Sequence, residues 1–366
     1  MNKVCVYAIA KDEEKNVEKW VESMQPADHI IVLDTGSTDN TVELLSSFGV
    51  EVHQKIYDHF RFDVARNDCL DLIPDEYNIR VSIDLDERFE QDNWADVLRT
   101  NWDEKSPRAI YKYVWNHNAD GSDGLVFVIN KIHGTDPDLR WAGAVHEHLT
   151  YMSTGLRDFK EYVDFTQVLT VHHYHDESKD RTFYKELALE RLQDKPDDYQ
   201  AWILYGNEQK IKGDPEQAII AYNHVIDNFS EVGDAAEIAS CYYGIGQCYN
   251  KLNNGFKAMS AFSMGIALNK YYRDNYYGLA SLLISNKMYD MAIGVLKQGL
   301  TITQRVFGWM EDPFVWTYSL YDALAVCYSE KGEKEIALGY AAKALSYDNK
   351  NEILLERYNN YLLALE

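Results

Sequence analysis

Cysteine is scarce and unpaired in this chain: five residues among 366, an odd number with no C-x-x-C pair, exclude a disulfide scaffold and a zinc ribbon. A reducing, cytoplasmic compartment is the expectation. Seven prolines and twenty glycines are too few for a low-complexity chain. No apolar run approaches the ~18 residues that cross a bilayer, and the opening MNKVCVYAIAKDEE lacks the apolar core of a secretory leader, so no membrane span is expected. Positive charge is short as well. Thirty-six Lys and Arg against fifty-nine Asp and Glu leave a net charge of -23, which disfavours a grip on nucleic acid or anionic lipid. What the chain has is apolar content, 46% hydrophobic residues with twenty-seven Tyr and eight Trp, enough for two cores at the usual ~150 residues per domain.

Two periodicities divide the sequence near residue 190. Before it, short apolar runs alternate with amphipathic stretches: strands at Val4–Ala10, His29–Leu33, Val50–Gln54 and Ile79–Ile83, and helices at Glu13–Met24, Thr41–Phe48 and Phe62–Leu72. Strand and helix in alternation predict a doubly wound α/β domain over residues 1–190. Its ligand site is expected beyond the carboxyl ends of the strands, where Asp34, Asp84 and Asp86 lie.

Residues 191–366 read as helix throughout. Four registers recur: Trp202, Tyr205, Gly206, Ala218, Tyr222; Tyr242, Ile245, Gly246, Tyr249, Ala258, Phe262; Tyr276, Leu279, Ala280, Leu283, Ala292; and Tyr321, Leu324, Ala325, Tyr328, Ala337. They follow the tetratricopeptide pattern, in which small residues let paired helices approach and bulky ones fill the layer between pairs. The expected architecture is an all-α tetratricopeptide-repeat superhelix closed by a capping helix over 349–365, with homodimerisation through its end face as a candidate assembly.

The chemistry concentrates in the first half. VSIDLDE presents two carboxylates one residue apart at the end of an apolar strand, on one side of it if the strand continues. Like charges so placed call for a divalent, oxygen-seeking ion, Mg²⁺ or Mn²⁺, which needs only one or two carboxylates beside substrate phosphates. IIVLDTGSTDNT puts Asp34 before a turn and a helix cap. Arg66 offers fork-like donors to a diphosphate; its alternative is a surface pair with Asp63 or Asp68.

KDEEKN (Lys11 to Asn16), LDTGSTDNT (Leu33 to Thr41), ARN (Ala65 to Asn67) and DLDE (Asp84 to Glu87), in this order, resemble a family 2 glycosyltransferase with the GT-A fold, a Rossmann-like nucleotide-diphospho-sugar transferase, over about residues 3 to 175. The resemblance implies that Ala8, Ala10, Glu13, Asp34 and Arg66 line the nucleotide, that Asp84 faces the ribose and diphosphate, and that Asp86 holds the metal. Thr35 departs from the second Asp that many relatives carry after the first. RWAGAVHEHL resembles the acceptor-side G-x-x-H-E segment of members fused to helical repeats, which makes Glu147 the first candidate base and His146 the second. In VLTVHHYHDE, the histidine that completes the family's metal shell falls best on His173, with His175 and His172 as alternatives. Trp115, Asn116 and His117, before the turn of Asp120 to Gly124, are candidates for the sugar's border.

The resemblance thus implies a metal-dependent inverting transfer of sugar from a nucleotide-diphosphate donor, a UDP-sugar in the first place, by direct displacement. A concave repeat surface suits an extended polypeptide, so a peptide or protein side chain is the expected acceptor, as in relatives that glycosylate bacteriocin peptides. The alternatives are a cell-surface polysaccharide or lipid-linked acceptor, or an inactive sugar-nucleotide fold serving as a repeat-based scaffold.

Overall fold

Strand β1 (Val4–Ala10) organises the first half of the protein. In the computed structural model, which describes residues 2–103, 105–117, 121–154, 162–176, 179, 182–231, 233–303 and 312–365, every residue of this strand but Ile9 is buried. Its side chains alternate between two cores, as the period of two requires. Val4, Val6, Ala8 and Ala10 pack with Val17, Trp20, Val21 and Met24 of α1 (Glu14–Met24). Cys5 and Tyr7 pack on the other face with Cys69, Leu70, Leu139, Trp141 and Leu149. A strand covered on both faces must be apolar throughout, which is why VCVYAIA reads as an unbroken run.

The chain continues through β2 (His29–Asp34), α2 (Thr41–Ser47), β3 (Glu51–Gln54), α3 (Phe62–Leu70), β4 (Ile79–Ser82), β5 (Glu87–Phe89), α4 (Trp94–Asn101), β6 (Arg108–Val114), β7 (Val126–His133), β8 (Leu139–Ala142), β9 (His148–Tyr151), β10 (Val163–Asp164) and β11 (Thr170–His173). Among the described residues nine strands form one sheet in the order β3-β2-β1-β4-β7-β6-β11-β5, with β10 beside β6, while β8 and β9 pair separately. The strands β3, β2, β1 and β4 are parallel. Beyond them the expected doubly wound pattern ends: β7 runs antiparallel to both β4 and β6, and β5 antiparallel to β11. Four parallel strands need helical crossovers, which α1, α2 and α3 supply; after Ser82 the pairing is mixed, with β6–β7 and β8–β9 joined as antiparallel returns while β10 and β11 run parallel to β6.

A second unit comprises His117–Ser122 with Thr182–Glu366, the first being Met1–Asn116 with Asp123–Arg181. The boundary expected at residue 190 falls inside α5 (Tyr184–Asp194), which belongs to the second unit. Helices α6 (Tyr199–Lys212) and α7 (Pro215–Phe229), α8 (Ala235–Lys251) and α9 (Gly255–Leu268), α10 (Arg273–Ser285) and α11 (Tyr289–Leu300), α12 (Ser319–Glu330) and α13 (Lys334–Leu345) pair as successive hairpins, followed by α14 (Glu352–Leu363). Asp214 caps α7 by accepting from the Gln217 amide, and Gly213, at φ 109°, closes α6.

The repeat signature has a steric cause. A methyl on Gly206 would lie 2.7 Å from the Tyr222 ring and one on Gly244 2.6 Å from its other edge, so the ring is clasped by glycines of two successive hairpins. Phe262 likewise meets glycines of two successive hairpins, Gly246 and Gly278, here both at one edge of the ring. In the third and fourth hairpins Ala280 and Ala325 replace the first glycine, and smaller side chains, Leu296 and Ala341, replace the ring; all four are buried. The extra length before the fourth hairpin lies in the connection 301–318, which includes a 3-10 turn at Pro313–Trp316. Helix α14 has the cap's position, but Ile353 and Leu363 leave apolar surface on it. Among the described residues no helix is long and apolar enough to cross a membrane.

Candidate functional site

The strand order reverses direction between β1 and β4, and the crevice outside the carboxyl ends of such neighbours is where open α/β sheets place ligands. Two of the four motifs meet at its rim and hold each other. Thr38 donates its amide to Asp12 Oδ1 (2.6 Å), the Asp12 amide donates to Ser37 Oγ (2.9 Å), Glu13 N to Thr41 Oγ1 (2.7 Å) and Glu14 N to Asp39 Oδ2 (3.1 Å). Asp12 takes φ 54°, a left-handed conformation that this lacing supports. Asp34, fully buried, accepts from the Gly36 and Ser37 amides (3.1 Å each) and from the Ser37 hydroxyl. Its carboxylate is therefore spent on its own turn, where the resemblance assigns it to a nucleotide. Ala8 and Ala10 likewise put their methyls in the core shared with α1, so only their backbone is left to border a ligand. Glu13 remains at the crevice, bonded to Asn16 Nδ2 (2.9 Å) and ion-paired with Lys179; burial pushes its carboxyl up and Lys179 opposes that.

The D-x-D segment is a turn rather than a continued strand. Strand β4 stops at Ser82, Glu87 N donates to Asp84 O (2.9 Å), and the Glu87 carboxylate accepts from the Asp84 amide (2.9 Å). The two acidic side chains thereby acquire separate partners, correcting the expectation that they share one face of a strand. Asp84 meets Arg66 Nη2 (2.8 Å) and Lys131 Nζ (2.9 Å). Burial works against its charge, but the two cations outweigh burial and hold the carboxyl well below the usual range. Lys131 also reaches Glu87 (2.7 Å), which is 1% exposed and accepts from the Tyr113 hydroxyl (2.6 Å). Burial raises the Glu87 carboxyl despite that lysine.

Asp86 faces His173, Nε2 to Oδ2 3.3 Å. The imidazole is stacked on Trp115 at 4.5 Å, and its Nδ1 lies 3.0 Å from the Trp115 carbonyl, which can only accept. The proton on that side must therefore be on Nδ1, so Nε2 is the atom presented to Asp86. Burial lowers the His173 pKa, but the Asp86 carboxylate prevails and the net shift is upward; Asp86 moves downward, against its own burial, for the same reason. His172 points elsewhere, towards Glu90 (3.7 Å) and Asp123 (4.0 Å), while His175 lies 5.4 Å from His173, ring to ring.

Opposite this pair, α3 holds the segment 141–147 along its length. Asn67 donates Nδ2–H to the Trp141 carbonyl (2.9 Å) and accepts the Trp141 amide on Oδ1 (3.0 Å), so one side chain imitates a neighbouring strand. Asp63 accepts the Gly143 amide (3.0 Å), and the Phe62 amide donates to Ala144 O (3.0 Å). Gly143 at φ 108° and His146 at φ 51° turn the chain so that Glu147 enters, and its Oε1 pairs with Arg66 Nε. His146 stays exposed. Arg66, 4% exposed, also donates Nη1–H to Ser82 Oγ (3.2 Å) and lies over the Trp141 ring (5.1 Å). Neither Asp63 nor Asp68 is its partner: those pair with Arg61 and Lys55.

The resulting cluster has five carboxylates (Glu13, Asp84, Asp86, Glu87 and Glu147), three permanent cations (Arg66, Lys131 and Lys179) and one imidazole. Among the described residues no group of three or more His, Cys, Asp or Glu converges on one point. A carboxylate and a pre-oriented imidazole fit an oxygen-seeking ion that keeps waters and takes substrate oxygens for its remaining positions. Sequence reasoning missed Lys131, Glu87 as a buried partner, and Asn67 as a clamp. Asn116 accepts the Leu125 amide on its side chain (2.7 Å) and so closes the β6–β7 hairpin; Asp120, in the same turn, lies outside the described residues.

Comparisons with known proteins match residues 199–228 to the tetratricopeptide repeat. Similar solved structures include MamA (23% identity, 45% of this chain and 87% of that one, TM-score 0.36). TTC0263, a tetratricopeptide-repeat protein from Thermus thermophilus, is 21% identical over 49% of this chain and 89% of that one, with TM-score 0.37. YrrB, described as having an unusual peptide-binding site, is 16% identical over 47% and 80%, with TM-score 0.35. No curated protein gives a significant match.

Proposed function

We propose that the first unit is a metal-dependent glycosyltransferase of the family 2, GT-A type, taking sugar from a nucleotide-diphosphate donor, with UDP as the first candidate nucleotide. The observation that carries this reading is the Asp86–His173 pair, 3.3 Å apart at the carboxyl end of a sheet whose strand order reverses beside it. Three of the four ordered motifs support it, since Glu13, Arg66 and the Asp84–Glu87 turn each bring charged side chains to this end of the sheet.

In this reading Asp86 and His173 hold Mn²⁺ or Mg²⁺, which when bound neutralises charge on the departing diphosphate. Asp84, fixed by two cations, faces the ribose side, and Glu13 with Lys179 closes the rim. Glu147 is the base: Arg66 takes Oε1, and Oε2 has no protein partner among the described residues, so it is the oxygen left to accept the acceptor's proton. His146, exposed on a left-handed turn, is the second candidate for that role. Displacement then occurs directly, with inversion and no covalent enzyme intermediate.

The second unit carries tetratricopeptide repeats, which generally bind protein partners, and we assign to it the capture of a peptide or protein acceptor. The same repeats favour the second reading, a protein-interaction scaffold without transfer. The two separate in one assay: protein with Mn²⁺ and a panel of UDP-, GDP- and CDP-sugars, with released nucleotide measured beside Asp86→Ala. Release from one donor, lost in the variant or with chelator, supports transfer; no release and no nucleotide binding leaves the scaffold.

A further inference from the structure

The family resemblance assigns Arg66 to the nucleotide, but the geometry points to a different role. We propose that Arg66 is a positioning residue for the proton acceptor Glu147, mechanically linked to the D-x-D turn, and not a ligand of the donor. This rests on the transferase reading above.

All three nitrogens of the guanidinium are engaged within the protein. Nε meets Glu147, Nη1 meets Ser82 Oγ at 3.2 Å, and Nη2 meets Asp84 at 2.8 Å. The side chain is 5% exposed and lies over the Trp141 ring, so a diphosphate reaching it would first have to displace a carboxylate. A planar fork can bridge two carboxylates at fixed separation, which a single ammonium does less well. Here it ties residue 147, on an irregular segment between β8 and β9, to residue 84, on the turn after β4. Helix α3 makes the bridge rigid. Asn67, the next residue, clamps Trp141 in both directions, and Asp63 takes the Gly143 amide, so the arginine and the segment it positions are both fixed to the same helix. Lys131 completes the link on the far side, holding Asp84 against Glu87. The site therefore resolves into two arms. Asp86 and His173 form one; Glu147, Arg66, Asp84 and Lys131 form the other, in which Arg66 sets where the Glu147 carboxylate stands relative to the first.

The test is a double-mutant cycle on the full-length protein with Arg66→Lys, Glu147→Gln and the double variant, reading kcat for transfer or donor hydrolysis and, separately, the affinity for UDP with Mn²⁺ by calorimetry. If Arg66 acts through Glu147, Arg66→Lys, in which Lys131 still holds Asp84, keeps UDP affinity within about twofold while kcat falls on the order of 100-fold, the scale of a misplaced general base. The double variant is then no slower than Glu147→Gln alone. Additive losses, or a UDP affinity weakened about tenfold or more with kcat retained, would overturn the assignment in favour of a donor ligand. Circular dichroism and thermal unfolding identify a variant that does not fold. In that case Asn67→Ala is measured instead, which loosens the same segment without removing charge: a fall in kcat at unchanged UDP affinity supports positioning, and an unchanged kcat contradicts it. Wild-type protein that binds none of UDP, GDP and CDP and releases nucleotide from none of their sugars sinks the transferase reading itself, and this inference with it; wild-type activity with additive variants sinks this inference alone.

Discussion

In the helical unit, the positions that define the repeat are filled by volume: Tyr222 and Phe262 occupy gaps that glycines of two successive hairpins leave for them, and a methyl has no room there. At the carboxyl end of the sheet the defining positions are filled by charge, with Arg66, Lys131 and Lys179 distributed among four carboxylates and His173 paired with a fifth. The first arrangement is local and recurs with the sequence period. The second joins residues as far apart as Glu13 and Lys179, and no period announces it. The difference teaches why the two halves call for different tests: one fails when a side chain is trimmed, the other when a charge is moved at constant volume.

The largest effect should come from breaking the steric clasp. Phe262→Ala removes a ring held by Gly246 and Gly278 and should cost about 3–5 kcal/mol, read as a lowered denaturant midpoint. The nucleotide binding proposed for the first unit, measured below the unfolding transition, should be unchanged; a parallel loss would mean that the units are not separately specified.

Next in size is an acid sensitivity of the sheet unit. His133 is buried against Tyr7 Oη (2.8 Å) and Gly134 O (2.8 Å). Burial, with Arg80, Arg108 and Arg140 nearby, pushes its pKa down to about 3 from 6.5. The unfolded chain then binds the proton more readily than the folded one, so this contribution to stability is complete above pH 6.5 and is lost progressively as pH falls towards 3. His133→Gln should flatten the fall in Tm between about pH 6.5 and 4.5; an equally steep fall would remove His133 from the account.

A smaller cost is expected at the clamp. Asn67→Ala leaves the Trp141 amide and carbonyl without their side-chain partner and should cost about 1–3 kcal/mol. An unchanged unfolding midpoint would deny the clamp. The smallest effect sharpens the contrast from the other side: Phe256, 85% exposed on α9, lies six residues from Phe262, yet Phe256→Ser should stay within about 0.5 kcal/mol.

How much of this was legible in the sequence follows the same division. Strands β1 to β4 and helices α1 to α3 are readable because each carries its own period, and the hairpins because Gly206, Gly246 and their aromatic partners repeat. The antiparallel arrival of β7 was not readable, since it depends on pairing Arg80 with His133 and Val81 with Ile132 across about fifty residues. Lys131 was missed for that reason: only the register of β7 brings it to Asp84. The D-x-D was found, but its shape was misread, because the turn is closed by the Glu87 side chain rather than by any turn-forming residue. The turn at Asp34 was legible in Gly36 and Ser37, whose amides it accepts.

The central claim, that Asp86 and His173 hold a divalent ion together with a nucleotide diphosphate, is tested most directly by electron paramagnetic resonance of Mn²⁺ titrated with the full-length protein, with and without UDP. The account predicts about one bound Mn²⁺ per chain that tightens when UDP is added, as an ion sharing substrate oxygens must, and that is lost in both Asp86→Asn and His173→Gln while each variant unfolds at the wild-type temperature. Mn²⁺ that binds equally well in either variant, or that ignores UDP, would contradict it.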